Sequence, residues 1–136
     1  MGSHVVFLRP AWPPTYEDTV SNQFYPYIRP QETGNKTYVR WVSLLDAQGF
    51  GLKVTGLQPL AFTALHFTPE DLDPGLTRKL QHTVDVIPQK NVCLHVDLKQ
   101  RGLGGDNSWG MYPHNEYRLL DKKYSYSYKL QLVDGE

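Results

Sequence analysis

Tyr124-Ser125-Tyr126-Ser127-Tyr128-Lys129-Leu130-Gln131-Leu132 is the stretch whose alternation decides the fold class. Successive side chains of a strand point to opposite sides, so Tyr124, Tyr126, Tyr128, Leu130 and Leu132 share one face. Ser125, Ser127, Lys129 and Gln131 share the other. One apolar and one polar face predict a strand of an antiparallel sheet, the apolar face on a core and the polar face in water. The same period recurs upstream. Thr37 to Leu45 sets Tyr38, Arg40, Val42 and Leu44 against Val39, Trp41, Ser43 and Leu45. Apolar residues on both faces predict an inner strand, with Trp41 in the core. Asp46-Ala47-Gln48-Gly49 predicts a hairpin loop with Gly49 in a left-handed position. Gly51 to Leu57 is the returning strand, and after Gln58-Pro59 a third strand runs from Leu60 to Phe67.

Further strands are expected at His82 to Ile87 and Asn91 to Leu98, around a Pro88-Gln89-Lys90 turn, and a short one at Tyr117 to Leu120. Thr68-Pro69-Glu70-Asp71 predicts a helix start. Threonine caps, proline is tolerated at the first helical position, and the acids favour the positive end of the dipole. Asp73-Pro74-Gly75 ends that helix, and Leu76 to Leu80 reads as a short turn. Residues 5 to 36 are expected to be irregular, because Pro10, Pro13, Pro14, Pro26 and Pro30 interrupt every apolar group. Within them Phe24-Tyr25-Pro26-Tyr27-Ile28-Arg29-Pro30 reads as an extended aromatic run, and Gln31 to Lys36 as a polar turn. Met1-Gly2-Ser3-His4 reads as a tag scar, and residues 1–15 as a tag remnant or divergent leader. Six or seven strands with short connections predict an all-β antiparallel sandwich.

The chain is long enough for one domain with a core. Lys+Arg and Asp+Glu number 14 each, so the formal net charge is zero. That argues against nucleic acid or an anionic membrane as partner, since both select a basic surplus. Nine tyrosines and three tryptophans lean towards a β-rich protein that handles sugars or interfaces. Cys93 stands alone, which excludes an internal disulfide framework, and Val92-Cys93-Leu94 predicts a buried, inert thiol. No stretch approaches the roughly 20 apolar residues of a membrane span. No basic, apolar and small-residue leader is seen in this segment, so the expected location is cytoplasmic or unknown, and a reducing compartment fits the lone cysteine without being required.

The second informative stretch is Gly102-Leu103-Gly104-Gly105-Asp106-Asn107-Ser108-Trp109-Gly110. Its glycines let other groups approach the backbone, and Asp106 and Asn107 bond neighbouring backbone groups in turns. Trp109 sits among them with little cover from its own loop. By composition alone it either stacks on a ligand or anchors the loop in the sandwich.

No other stretch announces chemistry. Cys93 and His95 lie two apart on one strand face and read as a structural pair. His4, His66, His82, His95 and His114 are too scattered to announce a metal cage. No phosphate-cradling glycine motif and no glycine-flanked nucleophilic serine occurs. Glu32, Asp106 and Glu116 are the loop carboxylates open to glycoside chemistry, but nothing in the sequence pairs two of them. No catalytic residue and no metal ligand is therefore assigned in this chain.

A family pattern runs through the chain. Gln23 to Thr37, followed by Val39-Arg40-Trp41, resembles a signature of the C-terminal domain of the large β-galactosidases, glycoside hydrolase family 2. His66-Phe67-Thr68-Pro69-Glu70-Asp71-Leu72, the Gly104 to Gly110 loop and the Tyr124 to Leu132 strand resemble three further elements of that domain, in order. The resemblance spans roughly residues 16–133. It implies that residues 16–136 are the C-terminal part of a β super-sandwich domain of the galactose mutarotase-like type. It further implies that Trp109, with Asn107 and Asp106, contributes to a substrate-binding pocket, the indole stacking on sugar or aglycone. The catalytic glutamates of the retaining hydrolase, with its magnesium and sodium, would lie in other domains, so this segment alone would be inactive and without cofactor. Implied partners are a catalytic barrel domain or large subunit and a galactoside such as lactose. A half super-sandwich exposes edges and apolar faces, so self-association is expected. Leu8 to Tyr16 departs from the family's usual Gly-x-Gly-Pro-x-Glu-Asn-Tyr. The alternative class is a free-standing carbohydrate-binding module, and a third is a purely structural domain with Trp109 in its core.

Overall fold

The computed structural model describes residues 4–8, 15–25, 33–73, 75 and 76, 81–107 and 109–135. Trp12, Glu32, Ser108, most of the 24–30 run, the start of the 31–36 turn and most of the 76–80 turn lie outside them.

Six strands form one antiparallel sheet: β1 (His4–Leu8), β2 (Thr15–Thr19), β3 (Lys36–Leu45), β4 (Gly51–Leu65), β5 (Cys93–Asp97) and β6 (Tyr128–Val133). Their order is β2-β1-β3-β4-β5, with β6 also on β4. The all-β antiparallel class agrees with the sandwich expected from the sequence, and the described residues contribute one sheet to it. β3 lies between β1 and β4, as its two apolar faces require. The β3–β4 hairpin closes at Asp46, whose carboxylate accepts the N–H groups of Gln48 and Phe50 at 2.8 and 3.0 Å. Gly49 has φ 85°, the left-handed backbone foreseen for this turn.

The two strands expected at 51–57 and 60–67 are one strand of fifteen residues. Gln58-Pro59 does not end it. Pairing passes from Trp41↔Thr55 to Val39↔Leu60, so extra β4 residues bulge out and Pro59 owes the ladder no N–H. In a second register shift, between Lys36↔Phe62 and Val39↔Leu60, Tyr38 takes φ 60°, a left-handed backbone rare outside glycine. Beyond the bulge Leu60 to Leu65 is buried on both faces. Val5, Val20, Val39, Val42, Val54, Leu60, Phe62 and Ala64 form the main core on one face. Leu65, Phe67 and Leu72 form a smaller cluster on the other, with the Phe24 and Phe67 rings 4.3 Å apart.

Several expectations are corrected. Residues 5 to 36 are not uniformly irregular. β1 pairs with both β2 and β3, and Val5 is fully buried, because β1 ends before Pro10 and β2 fits between Pro14 and Pro26. His82 to Ile87 is not a strand. The Asp85 carboxylate accepts the His82 N–H at 2.7 Å and closes a 3-10 turn at Thr83–Asp85, leaving Val84 and Ile87 exposed. Tyr117 to Leu120 is likewise no strand, since Asn115–Tyr117 is a 3-10 turn closed from Tyr117 N–H to the His114 carbonyl. The final strand starts only at Tyr128, and its apolar face is exposed: Tyr124, Tyr126, Tyr128 and Leu130 are open and Leu132 is 85% accessible. Alternation reported strand correctly, but no described element covers that face. Trp41 is half-buried rather than core, with the Lys53 ammonium 4.3 Å over its ring. Cys93 is half-buried too, its Sγ 3.4 Å from His95 Nε2.

The short helix α1 (Pro69–Leu72) forms as foreseen. Thr68 Oγ1 accepts the Asp71 N–H, and the Asp71 carboxylate accepts the Thr68 N–H at 2.7 Å, a complete capping box.

Candidate functional site

β5 ends at Asp97, and the chain then enters the glycine-rich loop. Its neck is closed by the Gly102 N–H donating to the Tyr117 carbonyl at 2.6 Å. Inside the neck Gly105 lies against the Met111 backbone, where a Cβ would collide with the Met111 carbonyl. Composition and geometry agree at this point: the glycine is the residue that lets the loop fold back on itself. Gly110, just past the tryptophan, has φ 97° and turns the chain away.

Two side-chain bonds hold the loop's outer part. Asn107 Oδ1 accepts the Trp109 N–H at 2.9 Å, a turn of the kind asparagine favours. Asp106 Oδ1 lies 2.7 Å from His114 Nε2. This contact raises the His114 pKa above its ordinary 6.5, first through the hydrogen bond to the carboxylate, then through its charge, with Glu116 adding to the attraction. Sequence reasoning passed over His114, because the pairing spans eight residues and depends on the loop's fold. Near the neck the guanidinium of Arg118 stands 4.9 Å over the Tyr112 ring and that of Arg101 5.9 Å from it.

Trp109 itself is 92% exposed. Its backbone is tied and its indole faces outward, so burial against the sheet does not position it. Asp106 is paired with an imidazole, and Glu32 is outside the described residues. Among the described residues no three His, Cys, Asp or Glu side chains come together as a metal cage. What the loop presents is a flat apolar ring on a fixed turn, flanked by a carboxylate, an amide and an imidazole. Such a surface has the chemistry to stack on a ring, while its Asn107 and Asp106 side chains are bonded within the loop.

The described residues combine an antiparallel sheet with an exposed tryptophan on a glycine-rich loop. The chain belongs to the β-galactosidase small chain family, whose pattern it matches over residues 11–130. Its relatives include a β-galactosidase of Priestia megaterium, 34% identical over 117 residues, a match covering 85% of this chain and 11% of the relative. β-Galactosidase BgaC of Bifidobacterium adolescentis is 31% identical over 121 residues, covering 86% of this chain and 11% of that protein. A β-galactosidase of Halalkalibacterium halodurans is 34% identical over 106 residues, 77% of this chain and 10% of its own length. The chain thus spans about a tenth of the length of the curated relatives it matches.

Proposed function

We propose that this chain is the C-terminal part of a β-galactosidase, which completes the galactoside pocket of a catalytic barrel carried on another domain or subunit. Trp109 stacks on the sugar or aglycone, Asn107 fixes the turn that carries it, and Asp106 holds the loop through His114. The supporting observation is that Trp109 is tied at its backbone and open at its ring. An indole so placed is a surface awaiting a partner. On this reading the catalytic glutamates, magnesium and sodium belong to the parent's other domains, and the chain alone does not hydrolyse galactosides. A retaining hydrolase needs two carboxyl groups about 5–5.5 Å apart across one sugar. Asp106, hydrogen-bonded to His114, is set to hold a loop.

The test is Trp109→Ala in the full-length enzyme. Losing a stacked ring removes about 1 kcal/mol, so KM for lactose rises roughly fivefold, and Trp109→Tyr keeps most of the wild-type value. Kinetics on lactose unchanged by Trp109→Ala would overturn the assignment.

A further inference from the structure

The backbone bond that closes the neck of the glycine-rich loop also sets two arginines side by side. It joins the peptide between Arg101 and Gly102 to the peptide between Tyr117 and Arg118, the Gly102 N–H donating to the Tyr117 carbonyl at 2.6 Å. Gly102 permits that approach, because a Cβ there would stand 2.7 Å from the Tyr117 Cβ. Arg101 and Arg118 therefore leave the neck as neighbours. Both reach one ring: their guanidinium carbons lie 5.9 and 4.9 Å from the centre of Tyr112. Pro113, buried beside Gly102, roots that exposed ring at the neck.

The two forks are open to a ligand. Arg101 is exposed and Arg118 half-buried. Arg118 Nη1 donates to Asn115 Oδ1 at 3.1 Å, which orients the guanidinium and leaves it further N–H groups to offer. Among the described residues no carboxylate pairs with either arginine. The acids close by in sequence are engaged elsewhere. Asp97 accepts a bond from Gln100 at 3.2 Å, Asp106 lies 2.7 Å from His114, and Glu116 acts on His114 and Tyr117. Two like charges held together by a backbone bond repel each other, and one tyrosine ring offsets only part of that. An anion between them relieves the repulsion and takes up the open N–H groups. Two positive charges match a phosphate monoester, which carries about −1.5 to −2 at pH 7, and the guanidinium fork matches its oxygens.

We infer that Arg101 and Arg118 form an oxyanion clamp across Tyr112 that takes a phosphate group, free or esterified on a small molecule. Arg101 also stands on the rim of a cleft of about 520 Å³, floored by Thr63 and Leu65 of β4 and by His95 and Cys93 of β5. An ester held at the clamp thus has room for its carbon part. The inference stands on the neck of the loop and does not rest on the role proposed for Trp109.

Inorganic phosphate and glycerol 3-phosphate are the probes, and the ³¹P linewidth of each is followed as the 136-residue chain is added at low salt. Both lines broaden, with a Kd of roughly 1 mM. Arg101→Gln and Arg118→Gln each raise that Kd roughly tenfold or more. Arg101→Lys and Arg118→Lys do the same, because an ammonium keeps the charge and loses the fork. Lys99→Gln removes the same unit of charge from the nearby Tyr124 ring and leaves the Kd within roughly twofold. The clamp is refuted if neither line broadens or if the two lysine variants bind like the wild type. It is refuted also if Lys99→Gln weakens binding as much as Arg118→Gln, since phosphate would then sense only diffuse charge. Tighter binding of glycerol 3-phosphate supports an esterified ligand with its carbon part in the cleft, and tighter binding of inorganic phosphate supports the free ion. Because the readout is binding and not hydrolysis, its failure is separate from any failure of the lactose kinetics.

Discussion

At the scale of single residues the Asp106–His114 contact is the most informative, because it gives the tryptophan loop a pH dependence. The folded loop raises the His114 pKa above 6.5, chiefly through the bond to Asp106. A group whose pKa is raised on folding binds its proton more tightly in the folded state. Its contribution to loop order is complete below the unfolded value and is lost as pH rises through the folded one. An NMR titration of the His114 ring protons therefore has a midpoint above 6.5, and Asp106→Asn lowers it towards that ordinary value. Both side chains are largely open to solvent, so added salt narrows the difference. A wild-type midpoint at or below 6.5 would show that the contact does not hold in solution.

Among the elements, α1 tests how far a cap determines structure in so short a piece. Thr68 Oγ1 and the Asp71 carboxylate satisfy two N–H groups that four residues of helix leave open. Thr68→Ala should cost about 1 kcal/mol, read as a lower urea midpoint at unchanged m-value. This helix was legible because its signal is local: threonine, proline and acids in sequence are the cap itself. Gly49 was legible for the same reason. β3 was legible because its apolar residues alternate, although only its second half, from Trp41 to Leu45, is covered on both faces. The elements that misled depend on distant partners or on a competing local bond. His82 to Ile87 alternates like a strand, yet Asp85 turns back on His82. Gln58-Pro59 looks like a terminator, yet a bulge absorbs it. The tyrosine strand announced its period but not whether anything covers it. The loop announced Trp109 through composition, while its outward pose required the Asn107 turn, and His114 required the whole loop.

For the molecule as a whole, the exposed apolar stripe on β6 is the main liability. Leu130 and Leu132 stand open opposite Val54 and Leu52, and among the described residues β6 has a neighbour on one side only. Surfaces of this kind associate unless covered. The chain by itself is expected to self-associate, its light-scattering mass rising with concentration. Leu132→Lys, at a position 85% accessible, should shift that rise to higher concentration with little change in stability. A wild-type chain that stays monomeric at high concentration would contradict the expectation.

β4 also governs the order in which the sheet is completed. One of its edges takes β6 along Gly51–Gly56 and β5 along Ala61–Leu65, and these two partners arrive far apart in the chain. During synthesis β5 follows β4 closely. β6 is the last of the six strands, so the lower half of that edge waits with open N–H and carbonyl groups until it emerges. Long-range pairing of this kind is slow to form and leaves a growing chain open to wrong partners. Because β4 is one strand across the bulge, the late arrival of β6 bears on the same element that forms the floor of the cleft. A ribosome stalled before residue 128 would thus display a sheet built at one end and sticky at the other, the state in which a chaperone has most to hold.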